Sequence, residues 1–267
     1  MNYNIENLDT NKDPQKINAV FKKIREEKAE IVVLQEVIDV NLFRKLVNDK
    51  LNDRYLIFMG QNDGIHKNAV LIRKDLNYDV EHYSHRNIPT DRRDNGELFY
   101  RDVPVVVLKD KTSGESVMAI ATVHLKAGVD DFSIEHRLIE LKTLGKISDY
   151  YVKKKKVKNF IVAGDFNKDL LRFNYDEFLS SRKFREVLSG APRNRRATHV
   201  FYRQGDGTPV FRQIDAIFYT GGLRLKFSRA DHGGRPFGRN KSREERINRE
   251  SDHIPIIAKF ILNNNHQ

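Results

Sequence analysis

Asn159-Phe160-Ile161-Val162-Ala163-Gly164-Asp165-Phe166-Asn167 is the stretch whose reading decides the fold. Its first five residues make a short, mostly apolar run, the pattern of a buried strand. Asp165 and Asn167, two residues apart where that strand ends, point to one side of the chain. Strand ends that open into loops are where α/β sheets place ligands and chemistry, and a carboxylate beside a neutral oxygen donor suits a hard divalent cation and a phosphate. The same residues also fit an Asx turn that closes a strand. The tetrapeptide alone leaves both readings open.

Outward from this strand, the chain alternates helical and strand patterns. Asp13-Pro14 followed by Ile17, Val20, Phe21 and Ile24 gives a cap, a proline in the first turn and apolar spacing of three and four, so a helix is predicted. Residues 31–35 read as a strand ending at Glu36, residues 41–50 as a helix, and 55–59 and 69–72 as strands. Residues 84–100 turn polar and basic, with Arg86, Arg92 and Arg93 around Pro89, Asn95 and Gly96, and are expected to form a long loop. Two β-branched runs, 103–108 and 117–124, flank a Gly-containing turn and predict a hairpin. Ile134, Leu138, Leu141, Leu144, Ile147 and Tyr151 mark a helix running into Lys153-Lys154-Lys155-Lys156, which reads as a solvated C-terminal cap before it reads as a nucleic-acid patch. Residues 211–219 and 254–262 read as the last strands. They enclose a basic segment, 223–250, that includes Arg224, Arg235 and Arg239.

Composition narrows the chemistry. The 267 residues carry 48 Lys and Arg against 37 Asp and Glu, a formal charge of +11 that favours an anionic partner such as nucleic acid or an anionic lipid surface. There is no cysteine, so disulfides, thiolate ligands and a cysteine nucleophile are excluded, and any metal must be held by oxygen or imidazole. No stretch approaches the roughly 18 apolar residues of a membrane span, so no membrane insertion is expected. No composition break forces a division, and on length alone the 267 residues fit one large domain or two small ones. Residues 1–6 already read as a strand carrying site residues. The chain is therefore expected to be either cytoplasmic or a secreted form whose leader lies outside it.

Several other strand ends carry polar residues. Asn4 and Glu6 lie in the first strand, Glu36 closes Leu34-Gln35-Glu36, His124 ends another strand, Asp215 sits in Gln213-Ile214-Asp215, and Ser251-Asp252-His253 precedes the last. Each has a structural explanation alone, since a lone histidine or strand carboxylate is often a satisfied hydrogen bonder. Their number is what points to a site.

Asn4-Ile5-Glu6, Leu34-Gln35-Glu36, Gly164-Asp165-Phe166-Asn167, Gln213-Ile214-Asp215 and Ser251-Asp252-His253-Ile254-Pro255-Ile256 together resemble the endonuclease/exonuclease/phosphatase superfamily over nearly the whole chain. His124-Leu125 and Arg101-Asp102-Val103-Pro104-Val105-Val106 look most like its pancreatic-type deoxyribonuclease branch. Two departures stand out. Ile38 occupies a position that is often basic in that branch, and Gly64-Ile65-His66 stands where a groove-contacting tyrosine is expected.

The resemblance implies a single catalytic domain over residues 1–267, a four-layer α/β sandwich of two mixed β-sheets packed face to face with helices outside. It implies a Mg²⁺ site, with Mn²⁺ or Ca²⁺ able to substitute or assist, at Glu36 with Glu6, Asn4 and Asp252. His253, oriented by Asp215, would act as base and His124 as acid. Asn167 and Asn4 would meet phosphate oxygens, and Asp165 would bind metal or orient water. Arg101, with Arg86, Arg92, Arg93, Arg235 and Arg239, would contact DNA, or RNA in its place. The expected activity is nuclease action on DNA with little sequence specificity. The alternative within the superfamily is a phosphatase or phospholipase acting on inositol phosphate or sphingomyelin, and outside enzymes a binding module that keeps the fold without catalysis.

Overall fold

The computed structural model describes residues 1–61, 64–87, 98–171, 183–203, 206–232 and 251–262. The chain begins with β1 (Asn2–Leu8), α1 (Pro14–Glu27), β2 (Ile31–Val37), α2 (Val40–Lys50), β3 (Tyr55–Met59) and β4 (Lys67–Arg73). It continues through β5 (Tyr78–Asn87), β6 (Leu98–Asp110), β7 (Ser116–His124), α3 (Asp131–Asp149) and β8 (Asn159–Asp165). Then come β9 (Arg185–Glu186), β10 (His199–Tyr202), β11 (Pro209–Arg212), β12 (Asp215–Tyr219), β13 (Leu223–Ala230) and β14 (Ile256–Leu262).

Two six-stranded sheets result, ordered β13-β14-β1-β2-β4-β3 and β5-β6-β7-β8-β12-β9, with β10 and β11 paired as a separate hairpin. Both large sheets are mixed, because β1–β2 and β7–β8 are parallel while their other pairings are antiparallel. The sheets meet through Val33, Val70 and Ile72 on one side and Val106, Ile120, Ile161, Ala163 and Ile217 on the other. On the first sheet's outer face, Ile17, Val20, Phe21 and Ile24 of α1 and Phe43 and Val47 of α2 pack with Tyr3, Ile5 and Leu34. On the second, Leu141, Leu144 and Ile147 of α3 pack with Val105, Ala121, Phe160 and Val162. This is the four-layer α/β sandwich, and it explains why β8 is buried throughout and apolar between Asn159 and Asp165: a central strand covered on both faces has no solvent side.

The helix caps follow the sequence. Asp13 accepts the Gln15 N–H and Asp39 the Leu42 N–H, and each satisfies a first-turn donor. After α3 the helical turn continues as a π-helix over Tyr150–Lys154, and the lysines at 153–156 are exposed, as a solvated cap requires.

Three expectations are corrected. Residues 84–87 and 98–100 are not loop but the ends of β5 and β6, paired as far as Asn87 and Leu98. The second-sheet edge position of β5 tolerates the polar residues that masked it. The run 211–219 is not one strand, because it breaks at Gln213-Ile214. There the Thr198 hydroxyl accepts the Ile214 and Asp215 N–H groups at 3.1 and 3.0 Å, so the ladder cannot pass through. The basic segment 223–250 begins as strand β13, and its remainder from 233 lies outside the described residues. Among the described residues no helix is long and apolar enough to cross a membrane.

Candidate active site

The C-terminal ends of β1, β2, β7 and β8 converge with the start of β12 and the residues before β14. The second sheet supplies the centre. Parallel pairing aligns His124 with Asp165 and Val123 with Gly164, while β12 sets Asp215 opposite Asp165. Gly164 is required here: its φ is 155°, and a Cβ would sit 1.9 Å from the Val123 carbonyl oxygen.

Asp165 Oδ1 accepts the Asn167 N–H at 2.8 Å, and Asn167 is held in the left-handed region at φ 50°. The Asx turn is therefore present, and it aims the second carboxylate oxygen into the site. Asn167 Nδ2 donates to the Leu125 carbonyl at 2.9 Å, and Arg101 Nη1 reaches the same oxygen at 3.3 Å. One carbonyl thus fixes both side chains.

The first sheet supplies the facing half. Register shifts lie between Asn4 and Leu8 on β1 and between Leu34 and Val37 on β2. Within them Glu6, Asn7 and Glu36 have φ of 49°, 51° and 65°. Non-glycine residues in this region cost about 1–2 kcal/mol each and gather at functional sites. Here the bulge turns Glu36 toward the second sheet. Asn4 Nδ2 donates to Glu36 Oε1 at 2.9 Å and to Asp165 Oδ2 at 3.2 Å, joining the two sheets' carboxylates through one buried amide. The Asn7 N–H donates to Glu36 Oε2 at 3.0 Å. Glu6 stands apart, with its carboxylate 3.6 Å from the Lys12 ammonium.

Two buried histidines approach Asp165 Oδ2, His124 Nε2 at 3.6 Å and His253 Nε2 at 3.8 Å. His253 Nδ1 donates to Asp215 Oδ2 at 2.8 Å, which leaves Nε2 facing the cluster. Burial, then the neighbouring Asp215 carboxylate, push Asp165 up to about 7. For His253 burial opposes protonation, but the Asp215, Asp165 and Asp252 carboxylates outweigh it and raise the imidazole well above its ordinary range. His124 moves the other way, driven well down by burial and by the charges of Arg101, His253 and His66.

Arg101 is largely buried and lies in the field of the Asp165, Glu140 and Glu36 carboxylates, so it belongs to the site. Arg86 is exposed on β5, while Arg92, Arg93, Arg235 and Arg239 lie outside the described residues. Two histidines join the site that the sequence did not mark as site residues, although His66 lies in the Gly64-Ile65-His66 segment where the resemblance expected a tyrosine. His66 stacks on His124 with ring centroids 6.1 Å apart, and its Nε2 contacts Asn7 Oδ1 at 2.7 Å. His199 contacts Asp252 Oδ2 at 3.2 Å and packs against His253. Each is a lone histidine in its own segment, and the tertiary fold alone brings it in.

The donor set fits a divalent cation. Glu36, Asp165 and His253 each offer one ligand atom within 4.8 Å of the others, and Asp215 Oδ1 is buried without a hydrogen-bond partner among the described residues. Buried carboxylate charge of this kind is stabilised by a bound cation or by protonation, and hard cations take oxygen donors first.

Among solved structures, the chain shares its fold with zebrafish (D. rerio) TDP2 complexed with a single-strand DNA product: 17% identity, 97% of each chain covered, TM-score 0.66. A mannosyl-6-phosphatase of Bacteroides thetaiotaomicron is similar at 16% identity, with 97% of this chain and 98% of that one covered and a TM-score of 0.68. The human Nocturnin catalytic domain with a bound sulfate matches at 17% identity, 97% and 92% coverage and a TM-score of 0.68. A search of curated protein sequences returned no match. The profile described as Endonuclease/Exonuclease/phosphatase family matches residues 1–253, and the chain belongs to that family.

Proposed function

We propose that the protein is a divalent-metal-dependent phosphodiesterase that cleaves DNA with little sequence preference, in the manner of the pancreatic-type deoxyribonuclease branch. The observation that carries this reading is the gathering of Glu36, His124, His253 and Asn4 around the Asp165 carboxylate, with the Arg101 guanidinium beside it. The formal charge of +11 supports a polyanionic substrate, and the DNA product held by the TDP2 structure supports DNA in particular.

Glu36 and Asp165, with Asn4 orienting both, would hold Mg²⁺, or Mn²⁺ or Ca²⁺ in its place, and Asp252 would lend a further carboxylate. When bound, the cation supplies charge neutralisation at the scissile phosphate. The chain's own residues do the rest. Asp215 fixes the His253 ring so that Nε2 takes a proton from the attacking water, and His124 Nε2 delivers one to the leaving oxygen. Arg101 orients the phosphate from the Leu125 side. In the ligand-free site the Asp215, Asp165 and Asp252 carboxylates raise His253, while burial, then the charge of Arg101, lowers His124. A cation beside Asp165 and Asp252 would weaken the pull on His253, and a phosphate beside Arg101 would oppose the part of the His124 depression that comes from charge.

Incubation with supercoiled plasmid, single-stranded DNA and RNA, with Mg²⁺ or a chelator, tests the reading. Metal-dependent nicking that His253→Ala abolishes is the expected result. Failure to cut any nucleic acid, together with release of phosphate or phosphocholine from phosphorylated or lipid substrates, overturns it.

A further inference from the structure

We propose that His199, Asp252 and His253 form a second cation site of a different chemical class, suited to zinc, sharing His253 with the oxygen-rich group at Glu36 and Asp165 and drawing on the Asp252 carboxylate that would otherwise assist that group. His199 lies on β10, in the small hairpin outside both large sheets, and two backbone contacts fasten it to the site. An isolated antiparallel bridge pairs His199 with His253, and the Ile254 N–H donates to the Thr198 carbonyl at 2.7 Å. The two imidazoles sit 4.7 Å apart at 65°. The Asp252 carboxylate lies between them, Oδ2 at 3.2 Å from His199 Nε2 and Oδ1 at 3.7 Å from His253 Nε2. One donor atom from each residue falls within 4.8 Å of the other two.

Tetrahedral zinc, with bonds of about 2.0–2.2 Å, sets its donors roughly 3.3–3.6 Å apart, a range that the two nitrogen–oxygen distances bracket. The hydrogen bond from His253 Nδ1 to Asp215 supplies the outer carboxylate that commonly orients a metal-binding imidazole. His199 is about nine-tenths buried, and its Nδ1 has no hydrogen-bond partner among the described residues. Asp252 is half exposed and gives an ion a route from solvent. Two imidazoles and a single carboxylate favour zinc over Mg²⁺, which prefers oxygen donors in octahedral array.

Zinc here engages the His253 Nε2 lone pair, so its binding competes with water activation. This consequence rests on the proposed role of His253, whereas the binding itself rests on the ligand geometry. The test is a calorimetric titration of the protein with Zn²⁺ in excess Mg²⁺, with Co²⁺ added in parallel for its tetrahedral visible absorption. The expected result is one zinc per chain, bound at least about tenfold more weakly by both His199→Asn and Asp252→Asn and unchanged by Glu36→Gln. Absence of zinc binding by the unaltered protein, or undiminished binding by both His199→Asn and Asp252→Asn, overturns the site. In plasmid nicking, each protein is compared with its own zinc-free rate, and zinc inhibition is expected to weaken in His199→Asn. If the protein nicks nothing, the phosphodiesterase reading fails while the zinc titration still decides the site.

Discussion

Replacing Gly164 by alanine separates backbone constraint from side-chain chemistry. The added Cβ meets the Val123 carbonyl oxygen at 1.9 Å, the Val123 carbonyl carbon at 2.8 Å and Val123 Cγ2 at 2.9 Å. Two of these are backbone atoms of β7, so no rotamer change relieves the clash. Reaching the 3.0 Å at which such atoms can coexist needs about 1.1 Å of separation between β7 and β8. An interstrand hydrogen bond of about 2.9 Å stretched that far is lost. Two such bonds, each leaving buried groups unpaired at about 1–3 kcal/mol, set the expected destabilisation at roughly 2–6 kcal/mol. That is a large share of the about 5–15 kcal/mol that holds a typical domain folded. Urea unfolding followed by circular dichroism measures it. Gly190→Ala is the control, because no atom of the described residues lies within 4 Å of its added Cβ, and a change within about 0.5 kcal/mol is expected. If Gly164→Ala unfolds within about 1 kcal/mol of the unaltered protein, the close approach of β8 to β7 is not as described.

Asp215→Asn removes the acceptor that holds His253 Nδ1 at 2.8 Å and is expected to lower plasmid nicking on the order of 10³–10⁴-fold without unfolding the chain; a nicking rate within tenfold of the unaltered protein contradicts the orienting role. Glu140, fully buried and pushed up to about 7 chiefly by burial, keeps its proton in the folded state over a range where the unfolded chain has released it. Its contribution is full in acid and is lost as pH rises from the ordinary glutamate range through about 7, a fall of about 2–3 kcal/mol. Unfolding at about pH 5 and pH 8 is expected to show a smaller difference in Glu140→Gln than in the unaltered protein; equal differences refute the assignment. Arg101→Ala is expected to weaken DNA binding and reduce the slope of log affinity against log salt by about 0.9, and an unchanged slope would mean that Arg101 meets no phosphate.

The parts of the site that were legible in the sequence are those whose side chains follow a strand rule. Asp165 and Asn167 could be read from the apolar run before them, and the two readings of that turn proved compatible, since the Asn167 N–H bond to Asp165 is part of the aim. Helix α1 was visible because Asp13-Pro14 and the apolar spacing act locally. His66 and His199 were not visible, since their partners, His124 and Asp252, are about fifty residues or more away in the chain. The break between β11 and β12 was hidden for a similar reason. Its cause is the hydroxyl of Thr198, far from the apolar pattern that it interrupts. The strand character of residues 84–87 was concealed by side chains chosen for an edge exposed to solvent rather than for a core.

Asn4 joins Glu36 of one sheet to Asp165 of the other, and His253, in the segment that leads into β14 of the first sheet, leans on Asp215 of the second. Function here therefore acts as a gauge of sheet alignment. A substitution at Val33 or Ile120, deep in the seam and away from the cluster, that slides one layer past the other by a fraction of an ångström would spoil the fit in addition to its cost in stability. For such positions, a loss of activity larger than the loss of stability explains would report the slip of one layer against the other.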